Sequence, residues 1–247
     1  MIKKVWIILT LLGALSLRGE GNLLGEVQKS GVIEVVTDNY RISFFPGHMF
    51  FFDLKLSDGT SLPPIRFLDR LVKNKRVYFL WKERFAEIRI IENTPEYLVV
   101  ETSGNFVYDD DNTAPGKPRA VYRYECRKDS PEIKITAQIS CGEVQMWDEL
   151  VFCMPGWKNT PFDTVGDENG NTSPLYSGQV RSITRKKFAS LVADNVEFGI
   201  AAPDILIWNN AAGNYYTYIG LPIMKKWNGL PITLEATVII RPFVTGR

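Results

Sequence analysis

Apolar and polar residues alternate with a period of two through most of this chain, the rhythm of half-buried β-strands and not of helices. The clearest stretch runs from Arg119 to Cys141. Ala120, Tyr122, Tyr124 and Cys126 alternate there with Arg119, Val121, Arg123, Glu125 and Arg127. Lys128-Asp129-Ser130-Pro131 then supplies a turn, because Asp and Ser bond their own backbone and Pro cannot sit inside a central strand. Ile133, Ile135, Ala137, Ile139 and Cys141 return on one face, with Lys134, Thr136, Gln138 and Ser140 on the other. A slip of one residue would expose every apolar group, so the pattern specifies the register.

The same alternation recurs at Ile232, Leu234, Ala236, Val238 and Ile240. It predicts further strands over 32–37, 40–45, 50–56, 77–81, 85–91, 97–103, 147–152, 188–192, 198–202, 205–208 and 215–219. Asp58-Gly59, Asn93-Thr94-Pro95, Asn169-Gly170 and Asn228-Gly229 punctuate them. Residues 68–75 have room for one short helical turn. Residues 108–118 and 155–179 read as long loops, and loops of that length are often functional. With no fixed-period repeat and uneven connections, the expected fold is all-β, a large antiparallel two-sheet sandwich.

From Glu92 the order of segments is ENTPEYLVVETSGNF, an acidic loop, RAVYRYECRKDSPEIKITAQI and then WDELVF. This stretch, Glu92 to Phe152, resembles the galactose mutarotase-like supersandwich domains of mutarotases and some polysaccharide lyases. The resemblance implies a supersandwich-like fold and a bias toward carbohydrate. Mutarotases of that family use a pair of histidines and a carboxylate base. This chain has one histidine, His48, outside the matched stretch. The resemblance therefore implies a fold and a ligand class, without naming a reaction.

Lys3 and Lys4 precede an apolar run from Val5 to Leu15, followed by small residues at Ala14 and Ser16. That layout reads as a signal peptide over 1–16 and a single β-sandwich domain over 17–247, secreted or periplasmic. No membrane association is expected once the signal is removed. The formal charge of +1, from 29 Lys+Arg against 28 Asp+Glu, gives no electrostatic footprint for nucleic acid. The three cysteines, Cys126, Cys141 and Cys153, read as small buried hydrophobes, with a Cys126–Cys141 bridge as the alternative.

Candidate chemistry follows from residue type. Arg119 and Arg123 share one face of a predicted strand, and an Arg fork suits a sugar carboxylate. Aromatic residues make up 12% of the chain, and sugar C–H faces stack on such rings. Trp147 lies at a strand start and Trp157 in the second predicted loop. Trp208 and the Tyr215/Tyr216 pair flank Asn209, Asn210 and Asn214, a mix suited to hydroxyl groups. The expected site is a concave sheet face bearing Arg119, Arg123 and Trp147, overlain by the loop that carries Trp157 and Asp163. Asp167, Asn169 and Asn171 offer alternate oxygen ligands, so calcium is a possible cofactor there, although the spacing is not that of an EF-hand. Asp109-Asp110-Asp111-Asn112 is a second acidic cluster. The resulting expectation is a non-catalytic, carbohydrate-binding domain. The alternatives are a lyase or epimerase of uronate-containing glycans, using Arg123 with Tyr122 or Tyr124, and a structural cell-envelope domain. A single His and the lack of GxSxG or a Gly-rich phosphate loop exclude nucleophilic triads and nucleotide chemistry.

Overall fold

The computed structural model describes residues 23–108, 112–175, 180–193, 195–210 and 216–243. The predicted signal peptide, the acidic run Asp109-Asp110-Asp111, Asn214 and Tyr215 lie outside the described residues. The chain opens with β1 (Gly25–Val27), β2 (Ile33–Val36), β3 (Tyr40–Phe44), β4 (Phe51–Leu56) and β5 (Ser61–Leu62). Short strands β6 (Arg66–Phe67), β7 (Arg70–Lys73) and β8 (Arg76–Phe79) follow. Then come β9 (Glu87–Asn93), β10 (Tyr97–Asn105), β11 (Arg119–Arg127), β12 (Glu132–Ser140) and β13 (Trp147–Val151). Next are β14 (Pro155–Lys158), β15 (Thr164–Asp167) and β16 (Thr172–Pro174), and the two longest, β17 (Val180–Ala193) and β18 (Val196–Asn210). The chain closes through β19 (Tyr216–Gly220), β20 (Met224–Trp227) and β21 (Ile232–Pro242).

These strands form an all-β sandwich. A 12-stranded sheet runs β16-β15-β17-β18-β21-β12-β11-β10-β9, with β19, β14 and β6 branching from it. A five-stranded sheet (β1 to β5) and a four-stranded sheet (β20-β13-β7-β8) accompany it. Every strand pair is antiparallel, and β11 and β12 pair in the register that the alternation requires, with Tyr122 opposite Ala137 and Tyr124 opposite Ile135. The inward set Ala120, Tyr122, Tyr124 and Cys126 is fully buried. Two of its members tie the layers together. The Tyr124 hydroxyl donates to the Met49 carbonyl at 2.8 Å, and its ring meets Phe44 edge-on at 5.0 Å. The Tyr122 hydroxyl donates to the buried carboxylate of Asp69.

The branch arises because β18 changes partner along its length. Its first half pairs with β21, from Val196 to Ala201. Its second half pairs with β19, from Leu206 to Asn210. A bulge between Lys186 and Lys187 on β17 sits opposite this change, and Pro203, which has no N–H to give, falls at that break. From β19 the pairing continues to β14 and then β6.

Two sequence expectations are corrected here. Residues 68–75 contain no helical turn but hold β7, which pairs with β8 and β13. Much of the predicted loop 155–179 is strand: β14, β15 and β16 all lie within it. Its strands are too short, and too rich in Gly and Pro, to show a period. All three cysteines are free thiols; Cys126 and Cys153 are buried, and Cys141 is partly so.

Candidate functional site

Strand parity decides which side chains share a face. Register places Trp208 opposite Tyr218, Tyr218 opposite Gly156, and Gly156 opposite Arg66. One row therefore crosses β18, β19, β14 and β6 on the face turned away from the main core. Ser182 of β17, which pairs with Trp208, extends it and is exposed. Tyr216, two residues before Tyr218, lies on the same face. The residues between them point the other way. Trp157, Phe67 and Thr217 are each at most 1% exposed.

The row is an aromatic shelf. Tyr216 and Tyr218 stack at 5.5 Å with 12° between planes, and Trp208 stacks on Tyr218 at 5.9 Å and 29°. Gly156 makes this possible. A Cβ there would lie 2.2 Å from Cδ1 of Tyr218 and 2.6 Å from the carbonyl oxygen of Thr217, so only glycine lets the tyrosine ring lie across β14. The Arg66 guanidinium continues the stack, 5.5 Å from the centre of Tyr216 and 4.5 Å from that of Trp81. Such contacts hold an otherwise flexible cation in one place. Trp208, Tyr216 and Trp81 remain partly exposed.

At the Arg66 end the shelf opens into a cleft of about 540 Å³. His48, Phe52, Arg66, Trp81, Lys82 and Arg84 line it, over a floor that includes Phe50 and Phe67. The 45–50 turn and the turn after β8 are pressed together by a bridge between Gly47 and Ala86. Gly47 has φ +79°, and a Cβ on it would lie 2.4 Å from the Arg84 carbonyl oxygen, so this approach also requires glycine. The His48 ring packs edge-on against Phe52 at 4.9 Å. Burial, and then the charge of Arg84, hold its imidazole below the usual range, so it is neutral near pH 7. The Lys82 ammonium donates to the Tyr108 carbonyl at 3.0 Å.

Asp69 holds β6 and β14 in register from below. It is fully buried and accepts from the Tyr122 hydroxyl, from the Cys153 amide at 2.7 Å and from the Met154 amide at 3.1 Å. Cys153 adopts φ +47° at the position where its amide meets this carboxylate. Burial without a cation raises the Asp69 carboxyl to about 6, against the pull of those three donors.

The residues nominated by sequence are not gathered into one site. Arg123 donates to Glu101 at 2.9 Å, and Arg89 donates to the other oxygen of the same carboxylate. Arg119 donates to Glu87 at 3.0 Å and to the Ser103 hydroxyl at 2.7 Å. That face carries a ladder of ion pairs, in which Arg89, Arg119 and Arg123 already have carboxylate partners. Trp147 is fully buried on the four-stranded sheet, between Tyr78 and Trp227. Trp157 is fully buried against Phe162 and Phe198, and its indole donates to the Pro63 carbonyl at 3.1 Å. Both indoles are core because parity turns them inward. Asp163 is exposed and accepts from the Thr164 hydroxyl at the start of the β15–β16 hairpin.

The proposed calcium ligands form a closed turn. Asp167 accepts from the amides of Asn169 and Asn171, both at 2.9 Å, and from the side-chain amide of Asn171. Its oxygens serve the hairpin. Among the described residues, no group of three or more His, Cys, Asp or Glu side chains is placed to hold a metal. Tyr122 and Tyr124 are fully buried, which removes the proton-transfer partners of the lyase alternative. Asn209 is likewise turned inward and buried, accepting from the Thr217 hydroxyl.

Sequence reading nominated Trp208 and Tyr216 but missed His48, Arg66, Trp81 and Arg84. The alternation of Ile65, Arg66 and Phe67 does show Arg66 pointing away from the core. A strand of two residues is too short for that signal to stand out.

No protein-family model matches the chain, and no curated protein matches it. Solved structures do. An α-mannosidase from Enterococcus faecalis superposes with a TM-score of 0.61 at 10% identity, over 91% of this chain and 30% of that one. A galactose mutarotase-like protein from Lactobacillus casei gives 0.53 at 8% identity, over 85% of this chain and 100% of that one. A galactose mutarotase-like protein from Clostridium acetobutylicum gives 0.50 at 10% identity, over 90% and 98%. The shared property is architecture: the chain has the galactose mutarotase-like fold.

Proposed function

We propose that this protein binds a carbohydrate chain along the shelf formed by Trp208, Tyr218, Tyr216, Arg66 and Trp81, without converting it. The observation that carries the reading is the continuous stack across β18, β19 and β6, in which a glycine at the centre lets the Tyr218 ring lie across β14. Trp208, Tyr216 and Trp81 are partly exposed while Tyr218 is buried beneath them; exposed ring surface suits the C–H faces of sugars, and polar groups at the ring edges suit the hydroxyls. The fold is shared with the mannosidase and mutarotase-like proteins above, which supports a carbohydrate ligand by analogy. Hydrolysis of a glycosidic bond ordinarily needs two carboxylates facing the sugar. The described residues lining the cleft include no Asp or Glu, which favours binding over turnover. The leader predicted over 1–16 adds a proposal of export, which N-terminal sequencing of the mature protein tests directly.

Affinity electrophoresis through gels containing neutral and acidic polysaccharides tests the reading. The protein is expected to be retarded by at least one polysaccharide. Tyr216→Ala and Trp81→Ala should each weaken that retardation about tenfold, the loss of roughly one stacking contact. Retardation by none of the polysaccharides would overturn the proposal, as would binding that both variants retain in full.

A further inference from the structure

We infer that the cleft at the end of the shelf selects a sugar residue bearing a carboxylate, so that the preferred ligand is a uronate-containing glycan. The inference rests on the shelf reading above and adds charge selectivity to it. The chain as a whole is almost neutral, with 29 basic and 28 acidic side chains. The cleft is not: Arg66 and Arg84 line it, with no acidic residue among the described lining side chains. On the outer face of β11, by contrast, Arg119 and Arg123 are each matched to a glutamate. Among the described residues, neither Arg66 nor Arg84 meets a carboxylate.

Geometry narrows the anion. The Arg66 guanidinium is held between the rings of Trp81 and Tyr216, so its planar fork is oriented before any ligand arrives. A planar fork matches a planar carboxylate through two parallel hydrogen bonds. The same rings that orient the fork can carry the pyranose, which places a C5 carboxylate beside Arg66 while the ring stacks. Half of the cleft wall is aromatic or apolar (Phe50, Phe52, Phe67 and Trp81), and such walls strengthen a charge pair by excluding water. Arg84, on the turn locked by Gly47, supplies a second cation to the cleft lining.

Calorimetric titration of the full chain with oligogalacturonate, and with its fully methyl-esterified counterpart, tests the inference. The two share a backbone and differ in charge. The acidic oligomer is expected to bind about tenfold more tightly or better, the effect of one charge-assisted bidentate pair. Arg66→Lys keeps the charge but loses the fork, and Arg84→Gln loses a charge. Both should bring the ratio toward one; Arg84→Gln, outside the shelf, should do so while leaving binding of the ester in place, with circular dichroism confirming the fold of each variant. Equal affinity for acid and ester would overturn the inference and leave the shelf reading standing. Tighter binding of a sulfated oligosaccharide of equal length would also overturn it. Binding of neither oligomer, nor of any neutral glycan, would remove the shelf reading and this inference with it.

Discussion

Asp69 is the residue on which pH acts most directly. Its carboxyl is raised from an ordinary 3.8 to about 6 by burial. A carboxyl whose folded pKa is raised contributes stability that is fully present below the unfolded value and is lost as pH rises through the folded one. The contribution of Asp69 therefore falls between about pH 4 and pH 6, by an amount on the order of 3 kcal/mol for a shift of this size. Other carboxyls act oppositely; at Glu101 burial raises the pKa, but the hydrogen bonds from Arg123 and Arg89 outweigh it and hold the group below its usual range. Comparing the wild type with Asp69→Asn isolates the first effect. Denaturant unfolding at pH 4 and pH 7 should show the variant gaining on the wild type as pH rises. A constant difference would show that Asp69 is not neutralised on folding. A buried indole and a partly exposed one make a second test at this scale. Trp157→Ala should cost about 3–5 kcal/mol of stability, as expected for a large buried ring, whereas Trp81→Ala, at a partly exposed ring, should cost less stability and weaken binding as well.

At the scale of elements, the β19–β14–β6 branch holds the shelf, and Gly156 sits at its centre. Gly156→Ala should destabilise the protein by about 1–3 kcal/mol, the usual cost of forcing a methyl into a packed place. Part of that cost falls on backbone, because the new Cβ meets the Thr217 carbonyl as well as the Tyr218 ring. Thermal unfolding monitored by circular dichroism checks this. A melting temperature equal to that of the wild type would mean that the ring is free to move aside. The legibility of the elements follows their length. The β11–β12 hairpin could be read to the residue, since nine positions of strict alternation leave a single register. The pieces that build the branch, β19, β14 and β6, are two to five residues long, and β14 opens with Pro and Gly, the residues that signal a loop. A period cannot be recognised in two residues, so the branch was hidden even though each parity within it is regular.

At the scale of the whole molecule, sheet-forming and ligand-facing roles are separated. The twelve-stranded sheet buries Tyr122 and Tyr124 against the other layers, and its outer face at Arg119 and Arg123 is closed by ion pairs. The galactose mutarotase-like architecture was legible from Glu92 to Phe152, because β11 and β12 in that segment alternate strictly over nine residues each. The location of the candidate site was not, because it depends on His48, Arg66, Trp81, Trp208 and Tyr216. These come from four separated parts of the chain and meet only through the branch.

The five described tryptophans divide cleanly between the two roles, and this makes one measurement decisive. In a two-dimensional ¹H–¹⁵N spectrum recorded during titration with a bound oligosaccharide, the indole signals of Trp81 and Trp208 should shift. Those of Trp147, Trp157 and Trp227, which are at most 4% exposed, should stay in place. Shifts confined to the Arg119 and Arg123 amides, with Trp81 and Trp208 unmoved, would contradict the account and return the site to the outer face of β11.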